Sequence, residues 1–310
     1  MKLAFVFPGQ GSQTVGMLAG WTGNAVVDNA MQRASAALDQ DLRALVEQGP
    51  AEDLNLTVNT QPVMLACSVA MYEAWRDAGG PKPDVMAGHS LGEYSALTAA
   101  GTFTLEDAVR LVRIRASAMQ DAVPVGTGGM AAILGLDDDT VLAVCKEAST
   151  DTIVEAVNFN APAQVVIAGH KDAVERACEL AKAKGAKRAL PLPVSAPFHS
   201  RLLEPAAAVL EKALAELTLN MPDTDVINNV DVKIADSTAD IADALVRQAW
   251  HPVRWVETIR AMKAQGVTHV VECGPGKVLA GLIKRTEPEL VTLSVNDQAS
   301  LDAALSQINV

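Results

Sequence analysis

Short runs of apolar residues alternate with longer amphipathic stretches along most of the chain. A short apolar run bounded by glycine or proline predicts a buried strand, and a longer stretch with one apolar face predicts a helix. By this rule the strands are residues 3–7, 84–88, 225–230, 267–272 and 290–295. The predicted helices are residues 25–36, 61–78, 91–100, 105–120, 202–217, 238–249 and 256–265, with one more that ends at Arg285. Such alternation predicts a parallel sheet covered by helices on both faces.

A different order of elements occurs in the middle of the chain, after a segment rich in glycine and proline at residues 123–129. Strands are predicted at residues 130–136, 153–158, 164–169 and 188–194, and helices at residues 138–148 and 172–184. The order strand, helix, strand, strand, helix, strand is that of the ferredoxin-like fold. We therefore expect residues 125–196 to form a smaller ferredoxin-like domain. It is inserted into a large α/β domain made of residues 1–124 and 197–310.

Composition and charge narrow the class of protein. Of the 310 residues 49% are hydrophobic and 20% are charged, which is enough apolar material for a sizeable core and excludes a disordered chain. A net charge of −12 argues against nucleic acid or an anionic membrane surface as partner. No apolar run approaches the roughly 18 residues of a membrane helix. We expect a soluble, cytoplasmic protein without a disulfide framework or structural zinc site, since its four cysteines lie far apart: Cys67, Cys145, Cys178 and Cys273.

A candidate nucleophile lies between the second predicted strand and the helix that follows it. Residues 88–92 read Gly-His-Ser-Leu-Gly and fit G-x-S-x-G, the sharp turn that projects a serine hydroxyl into a cleft. The two glycines are needed because the turn brings backbones close together. Ser90 is therefore the predicted nucleophile, and the Leu91 amide at the helix N-terminus can stabilise an oxyanion.

A serine nucleophile needs a base, and the chain has five histidines. His199 stands where the chain leaves the small domain and re-enters the large one, so it is expected to face the cleft between them. We predict His199 as the base, while His251 stays a second candidate. The remaining three are predicted to be structural: His89, His170 and His269.

The carboxylate that usually orients the base has no clear candidate. In the α/β-hydrolase order it would come between Ser90 and His199. The acidic run at residues 137–139 lies there but is better explained as a solvated helix N-terminus. Either a later residue or a backbone carbonyl must then orient His199, which departs from an ordinary hydrolase.

Five segments together carry a resemblance to a known family: residues 5–13, 88–94, 197–200, 228–231 and 272–276. They resemble the malonyl-CoA:acyl carrier protein transacylases of the dissociated bacterial fatty acid synthase, in order and over essentially the whole chain. The resemblance implies an α/β fold, with a large α/β-hydrolase-like domain that contains a parallel sheet and carries the inserted ferredoxin-like (βαββαβ) domain.

The resemblance also implies roles for residues at the reacting centre. Ser90 matches the acyl-carrying nucleophile and His199 the general base. Gln248 matches the residue whose main-chain carbonyl holds the imidazole. Gln10 and Leu91 match the positions whose amides form the oxyanion hole.

A second set of residues is implied to bind the acyl group. Arg115 matches the arginine that pairs with the free malonyl carboxylate, Met119 follows on the same helix, and Phe198 is associated with malonyl preference over methylmalonyl. The helix positions agree, since Arg115 faces away from its neighbours Arg110 and Arg113. A buried arginine is costly unless an anion arrives, so it selects a dicarboxylic acyl group.

The implied reaction is ping-pong malonyl transfer from malonyl-CoA to acyl carrier protein, with no metal or redox cofactor and with a monomeric enzyme. The acidic carrier would dock on a local basic cluster, at Lys182, Lys184, Lys187 and Arg188 or at Lys284 and Arg285. Three alternatives stay open: an acyltransferase that loads a polyketide synthase carrier protein, a serine esterase or thioesterase, and a non-catalytic interaction module.

Overall fold

The computed structural model describes residues 1–194 and 196–308. The strands are β1 (Leu3–Phe7), β2 (Val85–Gly88), β3 (Gly128–Leu134), β4 (Val154–Ala161), β5 (Gln164–His170), β6 (Arg188–Pro191), β7 (Asp225–Ile227), β8 (His269–Cys273) and β9 (Val291–Val295). The helices of the first half are α1 (Ala25–Leu38), α2 (Leu42–Gln48), α3 (Ala51–Leu54), α4 (Thr57–Asp77), α5 (Leu91–Ala99), α6 (Leu105–Asp121) and α7 (Asp138–Ala148). Those of the second half are α8 (Lys171–Ala183), α9 (Pro205–Ala215), α10 (Thr238–Gln248), α11 (Trp255–Ala264), α12 (Val278–Thr286) and α13 (Gln298–Ile308).

A parallel sheet of five strands forms the centre of the larger part, in the order β7-β2-β1-β8-β9. Every residue of β1 is buried, as expected for a strand with helices on both faces. In the register of the sheet Phe7 lies beside Gly88, so β1 and β2 end together at one edge. Ligands of open α/β sheets bind outside this carboxyl edge, and the predicted nucleophile follows β2 directly.

The second sheet has four antiparallel strands in the order β4-β5-β3-β6. Its elements follow one another as strand, helix, strand, strand, helix, strand, as the sequence pattern predicts. Helices α7 and α8 cover one face with a core of small apolar residues such as Ala131, Ile133 and Ala177. The other face contributes residues such as Met130 and Val166 to a separate apolar cluster, which also contains residues of helices α6 and α9.

This cluster joins the small sheet to the large part of the protein. Met119 of α6 and Phe198 pack in it against residues of β3, β4 and β5. Backbone hydrogen bonds between the β4 residues Val157 and Phe159 and the loop residue Val253 tie the same surfaces together. The cleft beside the cluster is lined by Met130 and Val166 of the small sheet and by residues such as Gln10 and Ser90, which follow strands of the large sheet.

Several element boundaries differ from the sequence predictions for identifiable reasons. Helix α4 begins at Thr57 and contains Pro62, which the prediction placed at the first turn. The predicted helix 202–217 is divided, because Pro205 starts α9 after a 3-10 turn. Helices α2, α3 and α13 were not predicted, although Asp297 and Ser300 form a reciprocal cap at the start of α13. Within the described part of the chain, no helix combines the length and apolar character needed to cross a membrane.

Candidate active site

Ser90 occupies a strained turn between β2 and α5. Its φ is 52° and its ψ is −110°, a backbone conformation that residues other than glycine rarely adopt. The turn is tight because a Cβ on Gly88 would lie 1.8 Å from the carbonyl carbon of Gly92, and a Cβ on Gly92 would lie 2.0 Å from the Phe7 oxygen. The Asn229 side chain closes it, since its Oδ1 accepts from the Ser90 amide at 2.8 Å and its Nδ2 donates to the Gly88 carbonyl at 2.7 Å.

The serine hydroxyl meets the predicted base. Ser90 Oγ lies 2.7 Å from His199 Nε2, and His199 Nδ1 lies 2.8 Å from the main-chain oxygen of Gln248. A carbonyl only accepts, so Nδ1 carries the proton and Nε2 is left to accept from the serine. Gln248 is the last residue of α10, where carbonyls lack helical partners. The group that orients the imidazole is thus a helix-terminal carbonyl, one of the two possibilities that the sequence leaves open.

Burial controls the charge of this imidazole. His199 is 3% exposed and lies near the guanidinium of Arg115. Loss of solvation, and then the positive charge of Arg115, lower the pKa of His199 to about 3. The ring is therefore neutral at neutral pH and free to take a proton from Ser90.

A buried arginine lies on the other side of the nucleophile. Arg115 of α6 is 2% exposed, and its guanidinium donates to Gln61 Oε1 at 2.7 Å, Gln248 Oε1 at 2.9 Å and Ser90 Oγ at 3.1 Å. It also lies over the ring of Tyr94, 5.2 Å from the ring centre. These acceptors are all neutral oxygens. Burial accordingly lowers the pKa of Arg115, and a carboxylate brought to this point would find a charged, poorly solvated partner.

A buried carboxylate completes the site from below. Glu93, one turn after Ser90 on α5, is 2% exposed. Its Oε2 accepts hydrogen bonds from the main-chain amide of Asn229 and from Gln248 Nε2, each at 2.9 Å. Burial raises the pKa of Glu93 to about 7, although these two hydrogen bonds act in the opposite direction.

Three polar residues of this site, Glu93, Gln61 and Asn229, were not predicted. For Glu93 a signal existed, because it is the single charged residue of an otherwise apolar or small-residue helix. Gln61 and Asn229 are brought in from α4 and from the segment after β7. Residues 228–231 are part of the family resemblance, but no role was predicted for Asn229, and no local signal marks Gln61.

The predicted acyl-binding residues line one cavity with the reacting groups. It has a volume of about 220 Å³, and its lining includes Ser90, Arg115, Gln10, Met119 and Phe198. Leu91, the first residue of α5, is buried next to the nucleophile. Amides at the first turn of a helix have no helical acceptor and are available to an oxyanion. The side-chain oxygen of Gln10 accepts a hydrogen bond from the Thr57 hydroxyl.

The other histidines have partners of their own. His89 Nε2 lies 2.7 Å from Asn160 Oδ1, and its ring packs edge-on against Trp255. His251 Nδ1 lies 2.9 Å from the Arg247 carbonyl. His170 Nδ1 accepts a hydrogen bond from the Ile153 main-chain amide, and His269 Nδ1 is hydrogen-bonded to the Thr268 hydroxyl. Among residues 1–194 and 196–308 no group of three or more histidine, cysteine or acidic side chains is arranged to hold a metal ion.

Comparison with known proteins gives a consistent result. A family profile described as an acyl transferase domain matches residues 4–301. The malonyl CoA-acyl carrier protein transacylase of Salmonella typhimurium is 55% identical over 307 residues, covering 99% of each chain. A crystal structure of acyl-carrier-protein S-malonyltransferase from Burkholderia pseudomallei superposes with a TM-score of 0.98 at 63% identity, covering 99% of this chain and 100% of that one. A malonyl-transacylase solved in complex with its type II PKS acyl-carrier protein gives 0.98 at 52% identity, covering 99% of this chain and 100% of that one.

Proposed function

Because this chain belongs to the family of malonyl CoA-acyl carrier protein transacylases, we propose that it transfers malonyl from malonyl-CoA to the phosphopantetheine thiol of acyl carrier protein. The observation that carries the proposal is the distance of 3.1 Å between the buried Arg115 guanidinium and Ser90 Oγ. A malonyl group has its thioester carbonyl and its free carboxylate separated by one methylene. A nucleophile and a cation so close together fit both ends of it.

The proposed reaction has two half-reactions at the same serine. His199 Nε2 takes the Ser90 proton, Oγ attacks the thioester carbonyl, and the amides of Gln10 and Leu91 stabilise the oxyanion. The tetrahedral intermediate collapses to malonyl-serine, and the imidazolium gives its proton to the departing thiolate of coenzyme A. The carrier thiol then attacks the ester by the reverse steps. This chemistry needs no metal or redox cofactor.

Acyl selectivity is assigned to three residues of the cavity. Arg115 supplies two guanidinium nitrogens to the malonyl carboxylate, and Met119 and Phe198 restrict the space around its methylene. An acetyl group leaves the buried cation without an anion, so its binding is less favourable. This is how the site would favour a dicarboxylic acyl group.

We propose that the chain folds into two domains. Residues 1–124 and 197–310 would form the α/β-hydrolase-like domain and residues 125–196 the ferredoxin-like one. The strand order β4-β5-β3-β6 and the connection of its elements support the second assignment. The serine turn at the carboxyl edge of a parallel sheet supports the first. We further propose a monomeric, cytoplasmic enzyme.

We propose that the acidic carrier docks on one of two basic clusters. The first contains Lys182, Lys184, Lys187 and Arg188, and the second contains Lys284 and Arg285. In the first, Lys182 pairs with Glu179 at 2.8 Å and Lys184 with Glu147 at 3.0 Å, so part of its charge is already neutralised. Reversing the charges of both clusters is expected to raise the KM for carrier protein while leaving serine acylation by malonyl-CoA unchanged. An unchanged KM for the carrier would refute this surface.

A polyketide carrier is the second candidate acceptor. The similarity to a malonyl-transacylase solved with its type II PKS acyl-carrier protein favours it, because that protein shares 52% of its residues with this chain. The two candidates differ only in the carrier that accepts malonyl fastest. Parallel transfer assays with a fatty acid carrier and a polyketide carrier separate them.

The proposal is tested by intact-protein mass after brief exposure to malonyl-, methylmalonyl- or acetyl-CoA, with carrier protein added last. We expect a malonyl adduct that is absent in Ser90→Ala and that moves to the carrier. Preference for another acyl group would favour polyketide loading. Free malonate accumulating without a stable adduct would show a thioesterase and contradict the role of Arg115.

A further inference from the structure

Gln248 connects the three parts of the site through one residue. Its main-chain oxygen holds His199 Nδ1, while its side-chain Oε1 accepts from Arg115. Its Nε2 donates to the Ser90 carbonyl and to Glu93, each at 2.9 Å. The orientation of a single amide therefore decides whether Arg115 faces an acceptor or another donor.

A side-chain amide can be turned over, which exchanges its donor and its acceptor. Turned over, the Gln248 amide would place Nε2 against the Arg115 nitrogen, and two donors would oppose each other. It would also place Oε1 against the Ser90 carbonyl and against Glu93, where oxygens already stand. The observed orientation is fixed by the acceptors on that side.

Glu93 is the side chain that supplies such an acceptor. Its Oε2 holds Gln248 Nε2 and the Asn229 amide at the same distance, 2.9 Å, and Asn229 in turn holds the serine turn. One oxygen thus links the turn that carries Ser90 to the amide that faces Arg115. Glu93 itself is fully enclosed and does not line the cavity, so it acts only through these neighbours.

We propose that Glu93 is a positioning residue that sets the preference for a dicarboxylic acyl group through the side-chain amide of Gln248. The proposal rests on the function proposed above and deepens it. Glu93 does not contact the imidazole of His199 and is connected to it only through Gln248. What matters in this account is an acceptor oxygen at one point, and not the negative charge itself.

Two conservative variants separate position from charge. Glu93→Asp keeps the charge but withdraws the carboxylate by one methylene, beyond reach of both amide groups. Glu93→Gln removes the charge but keeps an oxygen that can accept from the same two groups. We measure the ratio of kcat/KM for malonyl-CoA to that for acetyl-CoA in Ser90 acylation. Loss of one hydrogen bond that supports a charged group corresponds to about a tenfold change, so the ratio is expected to fall about tenfold in Glu93→Asp.

Glu93→Gln is expected to keep the ratio within about threefold of the natural protein, since a neutral acceptor replaces a charged one. A ratio kept in Glu93→Asp but lost in Glu93→Gln would assign the effect to charge and overturn the proposal. An equal fall for both acyl groups in Glu93→Asp would also overturn it, because a loosened serine turn harms every acyl group alike. Glu257→Gln, which removes a surface carboxylate paired with Arg254, is the matched control.

The route through Gln248 is tested by a double-mutant cycle. Gln248→Met removes the amide but keeps the main-chain oxygen that holds His199. In the Gln248→Met variant, the further change Glu93→Asp is expected to cause no additional fall in the ratio. If the two substitutions each lower the ratio independently, Glu93 does not act through Gln248. If the natural protein itself forms no Ser90 adduct or prefers acetyl, the proposed function fails. If it prefers malonyl and Glu93→Asp keeps the same malonyl-to-acetyl ratio, only the role of Glu93 fails.

Discussion

Replacing Arg115 with methionine removes the proposed partner of the malonyl carboxylate while keeping an apolar stem of similar length. Arg115 is 2% exposed, and the side chains that accept hydrogen bonds from its guanidinium are neutral. A bound malonyl carboxylate would therefore supply it with an anionic hydrogen-bond partner. Removing one member of a buried, hydrogen-bonded charge pair costs about 2–5 kcal/mol. At 1.4 kcal/mol for each factor of ten, kcat/KM for malonyl-CoA is expected to fall about 30- to 4,000-fold.

The assay is the rate of Ser90 acylation, followed by intact-protein mass with malonyl-CoA and with acetyl-CoA. Acetyl brings no carboxylate, so its rate in Arg115→Met is expected to stay within about tenfold, the effect of one hydrogen bond lost at Ser90 Oγ. Arg113→Met, on the same helix but hydrogen-bonded to Gln40, is the control and is expected to leave both rates unchanged. Equal losses for malonyl and acetyl in Arg115→Met would refute the reasoning.

The remaining predictions concern the base and the serine turn. Because the pKa of His199 is held at about 3, acylation is expected to persist at pH 5, where an ordinary histidine of pKa 6.5 is mostly protonated; its decline near pH 6.5 would contradict this. Because of the same pKa shift, His199 takes up a proton in the unfolded chain at a higher pH than in the folded protein. The free energy of unfolding is therefore expected to decrease as pH falls from 6.5 towards 3. In His199→Gln this decrease, measured by urea unfolding, is expected to be smaller. In Arg115→Met the acid limb is expected to move to higher pH, since that guanidinium helps to lower the pKa. Gly88→Ala is expected to destabilise the protein by about 1–3 kcal/mol, because the new methyl group would clash with backbone atoms. Gly281→Ala, in open space on helix α12, is expected to stabilise it by about 0.5–1 kcal/mol. Equal thermal unfolding midpoints for the two variants would contradict the packing argument.

The sequence predicted those parts of the fold in which local pattern and tertiary packing agree. Apolar runs predicted the strands of both sheets. The expectation that Arg115 faces away from Arg110 and Arg113 agrees with its burial on α6. Helix α13 was overlooked, although its capping signal is present in the sequence. Two of the boundary errors occur at prolines, where a helix can start, as at Pro205, or continue, as at Pro62.

The candidate site was predictable where its residues lie in short motifs and unpredictable where it depends on distant contacts. Ser90 and His199 could be proposed from their place in the chain, and the distance of 2.7 Å between their side chains agrees with that pairing. The carboxylate was sought in contact with the base, between the two residues in chain order. Glu93 does lie in that interval, three residues after the nucleophile, but it contacts the Gln248 side chain and not the imidazole, an arrangement that only the three-dimensional packing creates.

The measurement that tests the central claim most directly is a crystal structure of the protein acylated with malonyl in the absence of carrier protein. The account predicts an ester on Ser90 Oγ, with the free carboxylate within hydrogen-bond distance of the Arg115 guanidinium and the ester oxygen directed at the amides of Gln10 and Leu91. A malonyl carboxylate directed into solvent, away from Arg115, would contradict it.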